Sequence, residues 1–327
     1  MSIDEGTVHS RFTGTKMIKI RQWILGGTPA SSTNPEDDMT SFQNSRHPHT
    51  AEWIFHSPQY LGWETCIGSS ALLIHAPPGT GKTILMSSII ERVANGIPEH
   101  RNVIYFFCRW DNLFKRTTIA ALRSIALQAL EIVRYVPDEI WRIYEDHCAP
   151  GIDDPALDNL TVLERIITIL LRGVGYVSIV IDGLDECPDS ELVDVLIRLS
   201  HKPVLGVIKW LFSSQADFHI VSKFEQKKIQ QLLITSAMTK EDVRKYLKDS
   251  CNMWCGTPDQ FDKMVESCEG NFVQVRSMVE RDENGEFSTP KDIDLLLEKY
   301  EPGVGRCWFR SLQRLKMKVT TVQNLVK

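Results

Sequence analysis

Several things are scarce in this chain, and each scarcity closes a class of function. No block of like charge occurs along the 327 residues, and 37 Lys and Arg against 42 Asp and Glu leave a formal net charge of -5. A mildly acidic chain without a basic stripe is a poor electrostatic partner for nucleic acid or an anionic membrane, which argues against a nucleic-acid-driven motor. Apolar runs are short. Those such as Ile166 to Leu171 are far too brief to span a bilayer. The N-terminus MSIDEGTVHSRF lacks the apolar stretch of a secretory signal. The eight cysteines, Cys66, Cys108, Cys148, Cys187, Cys251, Cys255, Cys268 and Cys307, are scattered. Several fall in expected strands or helices, which suits reduced thiols in a cytoplasmic protein better than a disulfide framework. Cys251 and Cys255 form CxxxC with no second ligand pair at zinc spacing, and the HPH at 47–49 reads as a loop. There is no internal repeat and no NKxD-type base-reading motif.

Residues 27–50 are rich in Gly, Pro, Ser, Thr and Asn and read as a linker, with a short amphipathic helix expected before it at Met17 to Leu25. An aromatic-rich stretch, Thr50 to Trp63, follows. From residue 69 short apolar runs alternate with helical periodicity. Strands are expected at Ala71–Ala76, Asn102–Cys108, Tyr176–Asp182, Val207–Ser213 and Gln230–Ile234. Helices are expected at Thr83–Asn95, Thr117–Val136, Thr161–Leu171 and Ser190–Leu199. Near-continuous apolar strands between helices imply an α/β fold, a five-stranded mainly parallel sheet covered by helices on both faces. After Ile234 the strand signal fades, and a small helical domain is expected, opened by a capping box at Thr239 with Asp242. Further helices fit 258–268, 272–281 and 290–300. The division is a lead-in over 1–66, an α/β domain over 67–235 and a truncated helical domain over 236–327.

Two constellations carry chemistry. The segment HAPPGTGKT joins an expected strand to an expected helix, the setting a phosphate-binding loop of Walker A type needs. Ala76, Pro77, Pro78, Gly79, Thr80 and Gly81 would line the phosphates. The two glycines let successive N–H groups converge on them, and the helix dipole adds positive potential. Lys82 would bridge the outer phosphates and the Thr83 hydroxyl would ligate Mg²⁺. Ala76 stands where the usual pattern opens with glycine. Farther on, VSIVIDGLDEC ends an apolar strand at Asp182, placing a carboxylate at the sheet edge where α/β folds bind ligands. Asp182 would hold Mg²⁺, and Asp185 and Glu186 are candidates to orient and deprotonate an attacking water. A third strand end carries Ser213, Ser214 and Gln215, polar groups that suit either contact with a terminal phosphate or a plain solvated strand end.

With those sites in place, the chain resembles the NACHT branch of the STAND P-loop NTPases, in particular fungal NLR-like proteins with a nephrocystin-type module. The resemblance rests on RHPHTAEWIFHSPQYLGWE at 46–64, APPGTGKT at 76–83, VIYFFCRWDN at 103–112, LRSIALQAL at 122–130, IVIDGLDEC at 179–187 and KWLFSSQAD at 209–217. MTKEDVRKYL at 238–247 and EGNFVQVRSMVE at 269–280 match its helical lid. It implies a sheet of order 5-1-4-3-2, ATP or ADP with Mg²⁺ as cofactors, and a signalling switch in which slow hydrolysis governs an ATP-state homo-oligomer. Fungal relatives of that kind act in non-self recognition and cell death, with effector or repeat-bearing sensor elements as partners. The family usually has arginine where Gln215 stands, so weak turnover is expected. A hydrolysis-deficient binding scaffold is the alternative.

Overall fold

The computed structural model describes residues 5–29, 34–97, 100, 102–148, 157–251, 256–285 and 289–299. Cys255, Cys307 and Tyr300 lie outside them. The chain divides into two compact units, one formed by Met1–Arg46, Ile54–His75 and Lys82–Leu233, the other by His47–Trp53, Ala76–Gly81 and Ile234–Lys327.

The first unit is built on five strands, β1 (Ser70–Ala76), β2 (Val103–Phe107), β3 (Tyr176–Asp182), β4 (Val207–Gln215) and β5 (Gln230–Leu233), in the order β2-β3-β4-β1-β5. That is the expected order, and the pairings β1 with β5, β2 with β3 and β3 with β4 are parallel. Interior strands so placed are buried on both faces. In the interior strands β1, β3 and β4, Leu72, Leu73, Ile74, Ile179, Ile181, Leu211 and Phe212 are fully buried, which is why these strands read as apolar runs rather than alternations, whereas the edge strand β5 is partly exposed.

Helices α1 (Glu5–Leu25), α2 (Glu36–Ser45), α3 (Pro58–Thr65), α4 (Lys82–Ala94), α5 (Thr118–Val133), α6 (Asp138–His147), α7 (Leu160–Arg172), α8 (Glu191–Ser200) and α9 (Phe218–Gln226) complete this unit. Ends are set by local chemistry. The Thr117 side chain caps α5 through the Ala120 N–H, and Arg134 stops it by taking the left-handed region at φ 62, so the helix ends at Val133 rather than at the expected Val136. Asn159 and Asp217 cap α7 and α9 in the same way.

The stretch read as a linker contains α2. Its sequence, EDDMTSFQNS, is polar, but three acids in its first turn suit the helix dipole. Its Asp38 is buried and accepts from the buried Lys115 ammonium and from Arg109 at 3.2 Å. A second tie holds α3 to the sheet. The Trp63 indole donates to the Trp210 carbonyl at 2.8 Å, while the buried Lys209 ammonium donates to the carbonyls of Trp63 and Cys66. At the open edge of the sheet, the Gln128 side chain of α5 accepts from the Tyr105 N–H at 3.0 Å and donates to the Tyr105 carbonyl at 2.9 Å. It satisfies backbone groups that a β2 edge would otherwise expose.

The second unit contains α10 (Ser236–Ser250), α11 (Pro258–Ser267), α12 (Phe272–Glu283) and α13 (Pro290–Lys299). Val243, Leu247, Met264, Val265, Cys268, Val275 and Met278 form its core. The capping box expected at Thr239 is not formed. The helix begins earlier, at Ser236, so Thr239 lies inside it and donates to the Ser236 carbonyl, while Asp242 accepts the Ala51 N–H at 2.8 Å. The capping box sits instead at Thr257 and Gln260, opening α11. His47 packs edge-on against Tyr246 and meets Asp249 at 2.9 Å, so this part of the expected loop is anchored to α10. No helix of the described residues is long and apolar enough to cross a membrane.

Removing one member of a buried ion pair leaves the other charge uncompensated. Asp38→Asn is therefore expected to cost about 3–5 kcal/mol of stability. A urea unfolding midpoint unchanged from the parent chain would contradict that anchoring role.

Candidate functional site

Parallel strands put the carboxyl end of every strand on one edge of the sheet, and three strand ends there carry the polar residues singled out above. β3 delivers Asp182, which is 3% exposed. Burial raises the pKa of its carboxyl group, opposed by hydrogen bonds from Ser213 and Thr83 and by the Lys82 charge. The Ser213 hydroxyl donates to Asp182 Oδ1, and its oxygen accepts the Gly183 N–H at 3.0 Å. Gly183 adopts φ 72, the left-handed conformation that turns the chain sharply after Asp182, and a Cβ there would press on the Cys108 carbonyl at 3.1 Å. One serine side chain thus fixes both the carboxylate and the turn beyond it.

The turn is a short 3₁₀ segment, Leu184–Glu186, and it aims its two acids in different directions. Asp185 Oδ1 accepts the Gln215 N–H at 2.7 Å. Glu186 Oε2 accepts the Trp110 N–H at 3.2 Å. Each carboxylate therefore holds a neighbouring segment by its backbone, the end of β4 at Gln215 and the turn after β2 at Trp110. Lys82 opens α4 within reach of all three acids. Burial lowers its pKa, and Asp185, Asp182 and Glu186, in that order, oppose the effect. Lys82, Thr83, Asp182, Asp185 and Gln215 are brought into one network. Ser214 Oγ is buried and has no hydrogen-bond partner among the described residues.

The loop Ala76–Gly81 precedes Lys82. Gly79 and Gly81 have φ of 82 and 80, which only glycine adopts readily, and the Thr80 hydroxyl donates to the Pro77 carbonyl at 2.9 Å. Its outer side is held by residues that sequence reasoning placed only in a matched helix. Phe272 N–H donates to the Gly79 carbonyl at 2.8 Å, and the Asn271 side-chain amide reaches the Pro78 carbonyl at 3.4 Å. Sequence reasoning also missed the Trp110 amide that holds Glu186, a backbone group with no compositional signature.

A family model, described as nephrocystin 3, N-terminal, matches residues 49–215, from the segment before α3 through Gln215. The chain belongs to the nephrocystin 3 N-terminal family. The nephrocystin-type, NACHT-like resemblance read from the sequence is thereby borne out, and with it a P-loop module of the nucleotide-binding class. Among curated proteins, the vegetative incompatibility protein HET-E-1 of Podospora anserina is 26% identical over 167 residues. That alignment covers 50% of this chain and 12% of the relative, so the chain spans a small part of that protein's length. Solved structures with a partial likeness include Cdc6p from Pyrobaculum aerophilum, with a TM-score of 0.48, 16% identity, and 79% of this chain and 67% of that one covered. The Walker-type ATPase PABY2304 of Pyrococcus abyssi gives 0.47 and 12%, covering 82% and 75%.

Ser213→Ala strands the buried Gly183 N–H and takes a donor from Asp182. A buried polar group left unpaired costs about 1–3 kcal/mol. Ser213→Thr keeps the hydroxyl, so chemical denaturation is expected to rank parent and Thr variant together, well above the Ala variant.

Proposed function

We propose that this chain is an adenine-nucleotide-binding switch that uses Mg²⁺ and hydrolyses ATP slowly. The observation that carries it is the convergence of Lys82 and Thr83 with the buried Asp182 carboxylate, next to a loop whose two glycines take positive φ. A half-buried ammonium facing three carboxylates is suited to phosphate oxygens, which bring the negative charge and hydrogen bonds that burial withholds from it. The unpartnered Ser214 hydroxyl at the end of β4 fits a site that expects a further polar occupant. Magnesium is commonly held by one or two carboxylates together with phosphates and water. Asp182 and Thr83 match that modest donor set, and the metal would supply charge neutralisation at the phosphates.

Within this reading, residues 67–235 bind the nucleotide and 236–327 form the accompanying helical domain. Ala76, Pro77, Pro78, Gly79, Thr80, Gly81 and Gln215 contact phosphate. Asp185 and Glu186 orient the attacking water, each with one oxygen held by a backbone amide. Gln215 hydrogen-bonds but carries no charge. An arginine at the reacting phosphate can be worth about 10³–10⁵ in rate, so turnover is expected to be slow. Slow turnover fits a switch whose ATP state assembles with further copies and passes a signal. Vegetative incompatibility, which gives the relative from Podospora anserina its name, makes cell-death signalling in the cytoplasm the favoured context.

Titration calorimetry with ADP and ATP, with and without Mg²⁺, tests the reading. Lys82→Ala is expected to weaken binding by about 30-fold or more, because it deletes one partner of a buried charge pair. Parent-like affinity in that variant would remove the basis for the site. In single-turnover phosphate release, Asp185→Asn combined with Glu186→Gln is expected to slow the step. An unchanged rate favours the binding-only scaffold instead.

A further inference from the structure

The underside of the phosphate loop is not bare. Two consecutive carbonyls of the loop, Pro78 and Gly79, are both engaged by the start of α12. The Asn271 side-chain amide donates to Pro78 O at 3.4 Å and the Phe272 N–H donates to Gly79 O at 2.8 Å. The fit is close. A Cβ on Gly79 would run into the Asn271 amide, and one on Gly81 would meet the Phe272 ring at 3.4 Å. The clamp is itself fixed, since Asn271 Oδ1 caps α12 through the N–H groups of Val273 and Gln274. Behind it, Gly270 at φ 73 lies against the Thr239 hydroxyl and Ser236 of α10.

In a trans peptide the carbonyl and the N–H point in opposite directions. Engaging the Pro78 carbonyl therefore fixes the Gly79 N–H, and engaging the Gly79 carbonyl fixes the Thr80 N–H, both away from Asn271 and Phe272. We propose that Asn271 and Phe272 are positioning residues of the phosphate loop: by holding these two carbonyls they orient the Gly79 and Thr80 amides toward the phosphates of the bound nucleotide. This rests on the nucleotide site proposed above and adds to it two residues 193 positions away in the chain.

The helix geometry offers a clean test. Asn271 is the N-cap, at φ -95 and ψ 106, and Phe272 is the first helical residue. Proline is favoured at that position, and an extended residue before it is what proline requires. Phe272→Pro thus keeps the helix start while deleting the N–H that holds Gly79, and Phe272→Ala removes the ring and keeps the N–H. In the full chain, fluorescent ADP with Mg²⁺ is expected to bind roughly two- to tenfold more weakly to Phe272→Pro than to Phe272→Ala, the range for one hydrogen bond. Asn271→Ser, which retains a capping oxygen but loses the amide donor, is expected to weaken ADP in the same sense.

Adenosine carries no phosphate, so its affinity is expected to be the same in all three variants; a merely structural role would weaken it alongside ADP. Equal ADP affinity in Phe272→Pro and Phe272→Ala would overturn the proposal, as would parallel losses for ADP and adenosine. A parent chain that binds no nucleotide at all would instead sink the underlying site, and that result is visible before any substitution is made.

Discussion

A peptide unit cannot offer its carbonyl and its N–H to the same side, and much of this molecule is arranged around that constraint. For the loop between β1 and α4 to turn a row of amides inward, its carbonyls must find partners on the outside. Thr80 supplies one from within the loop, and Asn271 and Phe272 supply two more. The same economy recurs around the strand ends and the turns beyond them. Asp185 takes the Gln215 amide, Glu186 takes the Trp110 amide, and Ser213 takes the Gly183 amide. Side chains that a motif assigns to catalysis also serve as backbone clasps.

Electrostatic balance at the site follows from the same crowding. Burial lowers the pKa of Lys82 against the pull of the three acids around it, and burial raises that of Asp182 against Lys82 and two hydroxyl donors. Neither group is well solvated, so each depends on the other.

The α/β class was legible because it rests on local signals, and the strand order followed from the family resemblance. Buried parallel strands read as apolar runs, and the glycines of the loop sit where positive φ is needed. What escaped notice depends on distant partners. α2 is too polar to announce itself, and it acquires a reason to be helical from its acid-rich first turn and the tie of Asp38 to Lys115 and Arg109. Thr239 and Asp242 have capping-box spacing, but the helix starts at Ser236, and both residues turn to other tasks. Asn271 and Phe272 carry nothing in their own sequence that announces a grip on Pro78 and Gly79, because a carbonyl held from outside leaves no trace in composition.

The Gln128 amide on β2 bears on how copies of this chain could associate. By occupying the outward N–H and carbonyl of Tyr105, it seals the middle of that border of the sheet. A second molecule adding there as a sixth strand would first have to evict a side chain already making both bonds. Strand addition at this border of the sheet is thus disfavoured.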